Sequence, residues 1–136
     1  MSTITYSVGL TVDPFLSLAQ RVWPRDYSRE HAAEALRRTE SIGAWDGPRL
    51  IGSVRVLTDG YFFATIPEIL VDPDYQRRGI GRELMNRALQ VAPRHKAFFG
   101  AQPQSVGFFE RIGCTPMHTG FVAQWPLRPA SDARSP

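Results

Sequence analysis

The sequence has a single cysteine, Cys114, which excludes an intramolecular disulfide framework and a cysteine-cluster metal site. It has no apolar run near the roughly 20 residues that cross a bilayer, and its first residues lack the basic and apolar parts of a secretion signal. The histidines His31, His95 and His118 are dispersed, so we predict no metal site. The formal charge is only +3, which does not favour nucleic acid or a membrane as the main partner. We therefore expect a cytoplasmic protein.

The 136 residues have the apolar and charged content of an ordinary globular protein, 43 % and 21 %. Their periodicity predicts the order β-α-α-β-β-β-α-β-α-β, an α/β fold with one mixed sheet. We expect one domain over residues 1–126 and a disordered tail over 127–136. The predicted strands are 4–8, 41–45, 50–57, 61–71, 96–101 and 121–125, and the predicted helices begin near 13, 28, 80 and 105.

Pro67 lies inside the strand predicted for residues 61–71. Because proline has no N–H to donate, it marks either an edge strand or a bulge where pairing stops. Both interpretations fit the sequence.

Gly79 and Gly81 flank Ile80 at the predicted start of a helix, and Arg77, Arg78 and Arg82 surround them. The first N–H groups of a helix have no intrahelical acceptor and attract anions. Glycine lets a phosphate approach those groups, and arginine suits phosphate through its planar fork. The alternative is a basic turn that only starts a helix. No nucleotide P-loop or dinucleotide fingerprint is present.

Residues 71–85, VDPDYQRRGIGRELM, resemble motif A of the Gcn5-related N-acetyltransferases, Gln/Arg-x-x-Gly-x-Gly/Ala. Residues 108–113, FFERIG, resemble that family's Phe-Tyr-Glu-x-Leu-Gly-Phe segment. The resemblance extends over about residues 4–126. It implies a central mixed sheet of six or seven strands with helices on both faces, and acetyl-CoA as co-substrate. It also implies an N-acetyltransferase in which a primary amine attacks the acetyl thioester directly.

The resemblance implies that backbone N–H groups of the glycine loop bind the pyrophosphate of acetyl-CoA. It implies that the preceding strand offers backbone groups to the pantetheine arm and that the Leu70 N–H polarises the thioester carbonyl. Phe109 stands where many members have a tyrosine acid; it has no proton to give, so we expect it to pack beside the cofactor and leave the acid unassigned. The cofactor-binding residues carried over by position are Ile69, Leu70, Val71, Gln76, Arg77, Arg78, Gly79, Ile80, Gly81, Arg82 and Phe109.

Glu68 is the candidate general base, because it adjoins Pro67 and matches an acidic position used by many members. The alternative is an exposed strand carboxylate. Asp59 is a second candidate base, although the Asp59-Gly60 pair also has the chemistry of a turn. Cys114 as a nucleophile lacks a visible base partner, and a small buried thiol is the simpler interpretation.

A narrower likeness, to plant plastid serotonin N-acetyltransferases and their bacterial relatives, suggests an arylalkylamine or another small amine as acceptor. Trp23, Tyr27, Phe62 and Phe63 are the candidate acceptor pocket, with core packing as the alternative. Acetylation of protein lysines and a non-catalytic acyl-CoA-binding module remain alternatives. The family resemblance also allows a homodimer, for which the sequence marks no interface.

Overall fold

The structure, a computed structural model, describes residues 3–117 and 119–127. His118 and residues 128–136, which include nearly all of the predicted tail, lie outside the described residues. Contacts divide the chain into two units, Met1–Phe99 and Gly100–Pro136, and each is described by itself.

The first unit contains an antiparallel sheet with helices before and after it. The strands β1, β2 and β3 lie side by side, and β4 and β5 both pair with β3. A single parallel bridge joins Thr65 to Phe98 and makes the sheet mixed. In chain order the elements are β1 (Ile4–Val8), α1 (Val12–Val22), α2 (Arg29–Arg37), β2 (Glu40–Asp46), β3 (Arg49–Thr58), β4 (Ala64–Thr65), β5 (Ile69–Val71) and α3 (Ile80–Val91).

The helices cover both faces of this sheet, as predicted. On one face α1 and α2 pack against the sheet in a core cluster that includes Leu18, Leu36 and Leu70. On the other face α3 approaches β3 at Gly52, where a Cβ atom would lie only 3.1 Å from a methyl group of Leu84. Glycine at this position therefore lets α3 pack closely on the sheet.

Pro67 marks an irregularity between β4 and β5, which confirms the bulge interpretation. The pairing of β5 with β3 matches Ile69 to Val54, whereas the pairing of β4 with β3 matches Thr65 to Leu57. The two registers differ by one residue, so one extra residue is accommodated around Pro67.

Two predicted strands are not formed as expected. Residues 96–101 contribute only the bridge at Phe98, whose N–H donates to the Ala64 carbonyl at 3.0 Å. Residues 121–125 form no strand, and their side chains are exposed. A strand needs a partner for its backbone groups, and the described residues of the second unit offer none. The described sheet therefore has five strands instead of the expected six or seven.

The described part of the second unit is organised around α4 (Val106–Arg111). Gly113 follows α4 with a φ of +101° and ends it, as the sequence predicted. Phe108 and Phe109 pack edge to face on α4, with ring centroids 5.1 Å apart.

Asp72, directly after β5, is buried and accepts hydrogen bonds from two arginines. Its Oδ2 atom lies 2.7 Å from Nε of Arg21 on α1 and 3.1 Å from Nη2 of Arg49. Its Oδ1 atom accepts the Asp74 N–H at 2.9 Å. Burial acts to raise the pKa of Asp72, but these hydrogen bonds and charges outweigh burial and hold the pKa below its ordinary value of 3.8. Asp72 thus ties α1 to the start of the loop after β5.

We expect Asp72→Asn to lower the free energy of unfolding by about 2 kcal/mol, because both ion pairs are lost. The loss is no larger because Arg21 and Arg49 are partly exposed and keep some hydration. At acid pH the unfolded chain binds more protons at this residue than the folded chain does. Its stabilisation is therefore complete above the ordinary pKa and is lost as pH falls through the lowered folded pKa. Urea unfolding from pH 7 to pH 3 should show a steeper loss for the wild type than for the variant. Asp74→Asn, at an exposed neighbour, is the control, and an equal loss there would contradict the assignment.

Candidate functional site

The loop after β5 presents backbone N–H groups to solvent at the start of α3. Gly79 caps the helix in a left-handed conformation, with φ +80°, and Arg77 is also left-handed, with φ +65°. Within the described part of the chain, the N–H groups of residues 79–82 donate to no acceptor. Successive N–H groups in such a turn, placed at the positive end of a helix dipole, form a concave anion site. The loop predicted from the Gly-x-Gly spacing therefore has the geometry of a phosphate site.

The arginines of this loop are exposed and one of them is held in place. The guanidinium of Arg78 lies over the ring of Tyr75, 5.0 Å from its centroid. Tyr75 donates its hydroxyl to Asp46 of β2 at 2.5 Å, and that hydrogen bond, more than burial, raises the pKa of Tyr75. Arg77 and Arg82 add positive charge beside the same N–H groups.

The two edges of β5 differ in what their backbone groups contact. The Asp72 N–H donates to the Ile51 carbonyl at 2.8 Å, and the Arg55 N–H donates to the Glu68 carbonyl at 3.3 Å. Because hydrogen-bonded pairs alternate in an antiparallel ladder, the intervening pair of Ser53 and Leu70 is also hydrogen-bonded. The Leu70 N–H is therefore directed at β3, which corrects the prediction that this N–H polarises the thioester carbonyl.

The amides of Ile69 and Val71 consequently point to the opposite edge of β5. In the described residues no strand pairs with that edge. The Gln76 side chain reaches it and donates to the Val71 carbonyl at 3.3 Å. The backbone groups at this edge of β5 are therefore placed to bind an extended ligand that ends in the phosphate loop.

A cavity of about 440 Å³ lies in the first unit between α1, α2, β3 and residues 68–70. This volume is in the usual range for a small-molecule site. Most of its wall is apolar, and its rim carries charged and aromatic side chains. The lining residues are Phe15, Ala19, Trp23, Arg25, Asp26, Tyr27, Ser28, His31, Ala32, Ala35, Leu36, Arg55, Glu68 and Leu70.

Glu68 lies in the wall of this cavity and pairs with Arg55. The guanidinium meets the carboxylate in a two-pronged contact, Nε to Oε2 at 2.6 Å and Nη2 to Oε1 at 2.5 Å. The Glu68 side chain is 11 % exposed and the Arg55 side chain is 16 % exposed. The structure therefore does not place Glu68 as an exposed strand carboxylate.

The four aromatic residues predicted for the acceptor pocket do not come together. Trp23 and Tyr27 line the cavity, and the Tyr27 hydroxyl donates to the Trp23 carbonyl at 2.7 Å. Phe62 and Phe63 lie instead on the turn between β3 and β4, where Phe63 stacks on Phe98 at 5.8 Å. They do not line the cavity.

Asp59 shapes the turn that carries Phe62 and Phe63. One carboxylate oxygen accepts the N–H groups of Tyr61, Phe62 and Phe63 at 2.8–3.2 Å. These hydrogen bonds, that from Phe62 most of all, lower the pKa of Asp59. The geometry supports the turn interpretation of this residue over a catalytic one.

Phe109 lies on α4, in the second unit, and its role beside the cofactor stays a prediction. Burial raises the pKa of the Cys114 thiol, which favours the protonated and unreactive form.

In residues 3–117 and 119–127 no three His, Cys, Asp or Glu side chains are grouped to hold a metal ion. None of the helices in the described part of the chain is both long and apolar enough to span a membrane.

The family profile that matches and the proteins that are similar in sequence are all named as acetyltransferases. The sequence profile of the acetyltransferase (GNAT) family matches residues 11–114. An uncharacterized ycf52-like N-acetyltransferase of Prochlorococcus marinus is 33 % identical over 124 residues, which are 83 % of this chain and 68 % of that protein. Histone acetyltransferase TAP1 of Glycine max is 29 % identical over 127 residues, which are 81 % of this chain and 55 % of that protein.

Solved structures agree with the sequence comparison. A GNAT family acetyltransferase from Streptococcus pneumoniae TIGR4 matches with a TM-score of 0.74 and 26 % identity, covering 91 % of this chain and 98 % of that one. The chain spans about half the length of the Glycine max relatives that it matches.

Proposed function

Because the chain belongs to the acetyltransferase (GNAT) family, we propose that it transfers the acetyl group of acetyl-CoA to a small primary amine held in the cavity beside Glu68. Acetyl-CoA is the co-substrate of this family. The observation that carries the proposal is the position of residues 68–71. Glu68 and Leu70 line the cavity, Ile69 and Val71 turn their amides to the unpaired edge, and the phosphate loop follows directly.

The chain offers groups for each part of the co-substrate. The loop amides near Ile80 and the neighbouring arginines bind the diphosphate, and the outer edge of β5 binds the pantetheine arm. The amide that polarises the thioester carbonyl is that of Ile69 or Val71, since the Leu70 N–H is directed at β3. Leu70 contributes its side chain to the acceptor cavity instead.

The amine nitrogen attacks the carbonyl carbon of the thioester, and the carbon–sulfur bond breaks with the electron pair leaving on sulfur. An alkyl amine has a pKa near 10.4 and is mostly protonated at neutral pH, so it must first lose a proton. Glu68 takes that proton directly or through one water. The thiolate product needs no strong acid, because thiols titrate near pH 8.5. Phe109 supplies no proton, and water serves in its place.

The cavity favours a small acceptor with an apolar body. Its wall is formed by Phe15, Leu36 and short alanine side chains, and Trp23 and Tyr27 are available for an aromatic ring at the rim. The Asp26 carboxylate lies on the same rim and has no ion-pair partner in the described residues. A cationic amine would be attracted to it. Protein lysine is the second candidate acceptor, favoured by the name of the Glycine max relative TAP1.

We expect release of the CoA thiol with an arylethylamine to be about ten times more efficient in kcat/KM than release with a lysine-containing histone peptide, because the peptide cannot bury an equal apolar area. A thiol-reactive dye reports the product, and simple alkylamines complete the panel. A preference for the peptide would favour the protein acceptor. Saturable acetyl-CoA binding without turnover on any amine would indicate a non-catalytic binding module.

Several finer expectations stay predictions. They are the cytoplasmic location, a homodimer, one domain over residues 1–126, and the narrower likeness to serotonin N-acetyltransferases.

A further inference from the structure

We infer that Arg55 is a positioning residue for acetyl transfer, because it holds the Glu68 carboxylate in the wall of the acceptor cavity. The inference rests on the proposed function. It concerns a residue of β3 that lies outside the glycine loop and outside β5, and that reaches the site from the neighbouring strand.

Arg55 and Glu68 are joined by both backbone and side chain. The Arg55 N–H donates to the Glu68 carbonyl, and the guanidinium contacts both carboxylate oxygens at 2.5–2.6 Å. Glu68 directly follows Pro67, where the pairing register with β3 changes by one residue. A side chain beside such a bulge would otherwise have freedom to turn away from the cavity. Arg55 removes that freedom.

The pairing leaves the carboxylate able to work. An ionised carboxylate has about four lone-pair sites, and the guanidinium occupies one on each oxygen. The remaining sites are available for the amine or for a bridging water.

Other charges around the cavity do not replace Arg55. Arg25, Asp26 and His31 lie on its rim, on the segment between α1 and α2 and on α2. Arg25 lies over the ring of Tyr27 at 5.8 Å, and none of the three rim residues forms an ion pair with Glu68 in the described residues. Without Arg55, the mostly buried Glu68 carboxylate would lack its counter-ion and the contact that holds it in place.

The test compares Arg55→Met with Arg55→Lys at a saturating concentration of the amine. In Arg55→Met we expect kcat to fall about tenfold, because the Glu68 carboxylate is no longer held in place beside the amine. KM for acetyl-CoA should change less than about twofold, because the co-substrate binds to the loop and to the outer edge of β5. Arg55→Lys keeps the charge and should restore part of kcat, although with a looser geometry.

The control is the same change in the Glu68→Gln background, where Arg55→Met should no longer lower kcat. If Arg55→Met is unfolded by circular dichroism, Arg55→Gln keeps a hydrogen-bond donor without the charge and takes its place. An unchanged kcat in a folded, charge-free variant would overturn the inference, as would an equal loss of kcat in the Glu68→Gln background. Failure of the wild type to turn over any amine would instead overturn the proposed function, and this inference with it.

Discussion

Gly81→Glu should weaken the binding of acetyl-CoA about 100-fold or more, since a carboxylate facing a diphosphate costs several kcal/mol and each 1.4 kcal/mol is a factor of ten. Gly81 is buried in the first turn of α3, beside loop N–H groups that donate to no acceptor among the described residues. Its new side chain would add both bulk and negative charge where the co-substrate needs amides. Isothermal titration with acetyl-CoA measures the loss.

The matched control is Gln90→Glu, which adds the same charge to an exposed position of the same helix. It lies nine residues further along, about 13 Å from the loop at 1.5 Å per residue. This control should leave the affinity within about twofold, because charges that far apart on the surface are largely screened. Thermal unfolding without ligand shows whether Gly81→Glu remains folded. If it does not, Arg82→Glu, at an exposed position, takes its place, and unchanged affinity in a folded variant would remove the phosphate-loop argument.

The phosphate loop could be predicted from the sequence because its properties are local. A left-handed cap needs glycine, the first helical turn leaves its amides unpaired by geometry, and both follow from the order of residues near Gly79. The bulge at Pro67 is equally local, since the missing N–H breaks the ladder wherever the strand pairs. Features that depend on one stretch of backbone can be read from that stretch.

The pairing of Arg55 with Glu68 could not be read in this way. It depends on the register of β3 against β5, and the irregularity at Pro67 shifts that register by one residue. A shift of one residue exchanges the two faces of a strand, so the sequence alone leaves open which side Glu68 faces. The available signal was a lone arginine inside the apolar alternation of residues 50–57, opposite a lone glutamate after the turn.

The aromatic residues show the same limit. Trp23 and Tyr27 lie in the short connection between α1 and α2, which forms the cavity rim. Phe62 and Phe63 are also aromatic, but they follow Asp59, whose carboxylate accepts their N–H groups and closes the turn. This turn places both rings away from the cavity. Residue type indicated an aromatic site, and only the tertiary structure determined which rings belong to it.

Glu68→Gln should lower kcat about 100-fold at neutral pH, the lower end of what general base catalysis contributes. The amide has nearly the same size and still accepts one hydrogen bond from Arg55, but it cannot take a proton from the amine. Affinity for acetyl-CoA should change less than about twofold, because binding depends on the loop and on the outer edge of β5. The loss should shrink as pH rises, since a larger share of the amine is then already deprotonated.

The control for Glu68→Gln is Glu40→Gln on β2, the same chemical change at an exposed carboxylate outside the cavity lining. It should leave kcat and its pH dependence unchanged. A folded Glu68→Gln variant with the kcat and pH profile of the wild type would show that the proton leaves by another route. The alternative proton acceptors are Asp26 and His31, because they are the other carboxylate and the imidazole that line the cavity. The double variants of Glu68→Gln with Asp26→Asn and with His31→Gln would then identify which of the two accepts it.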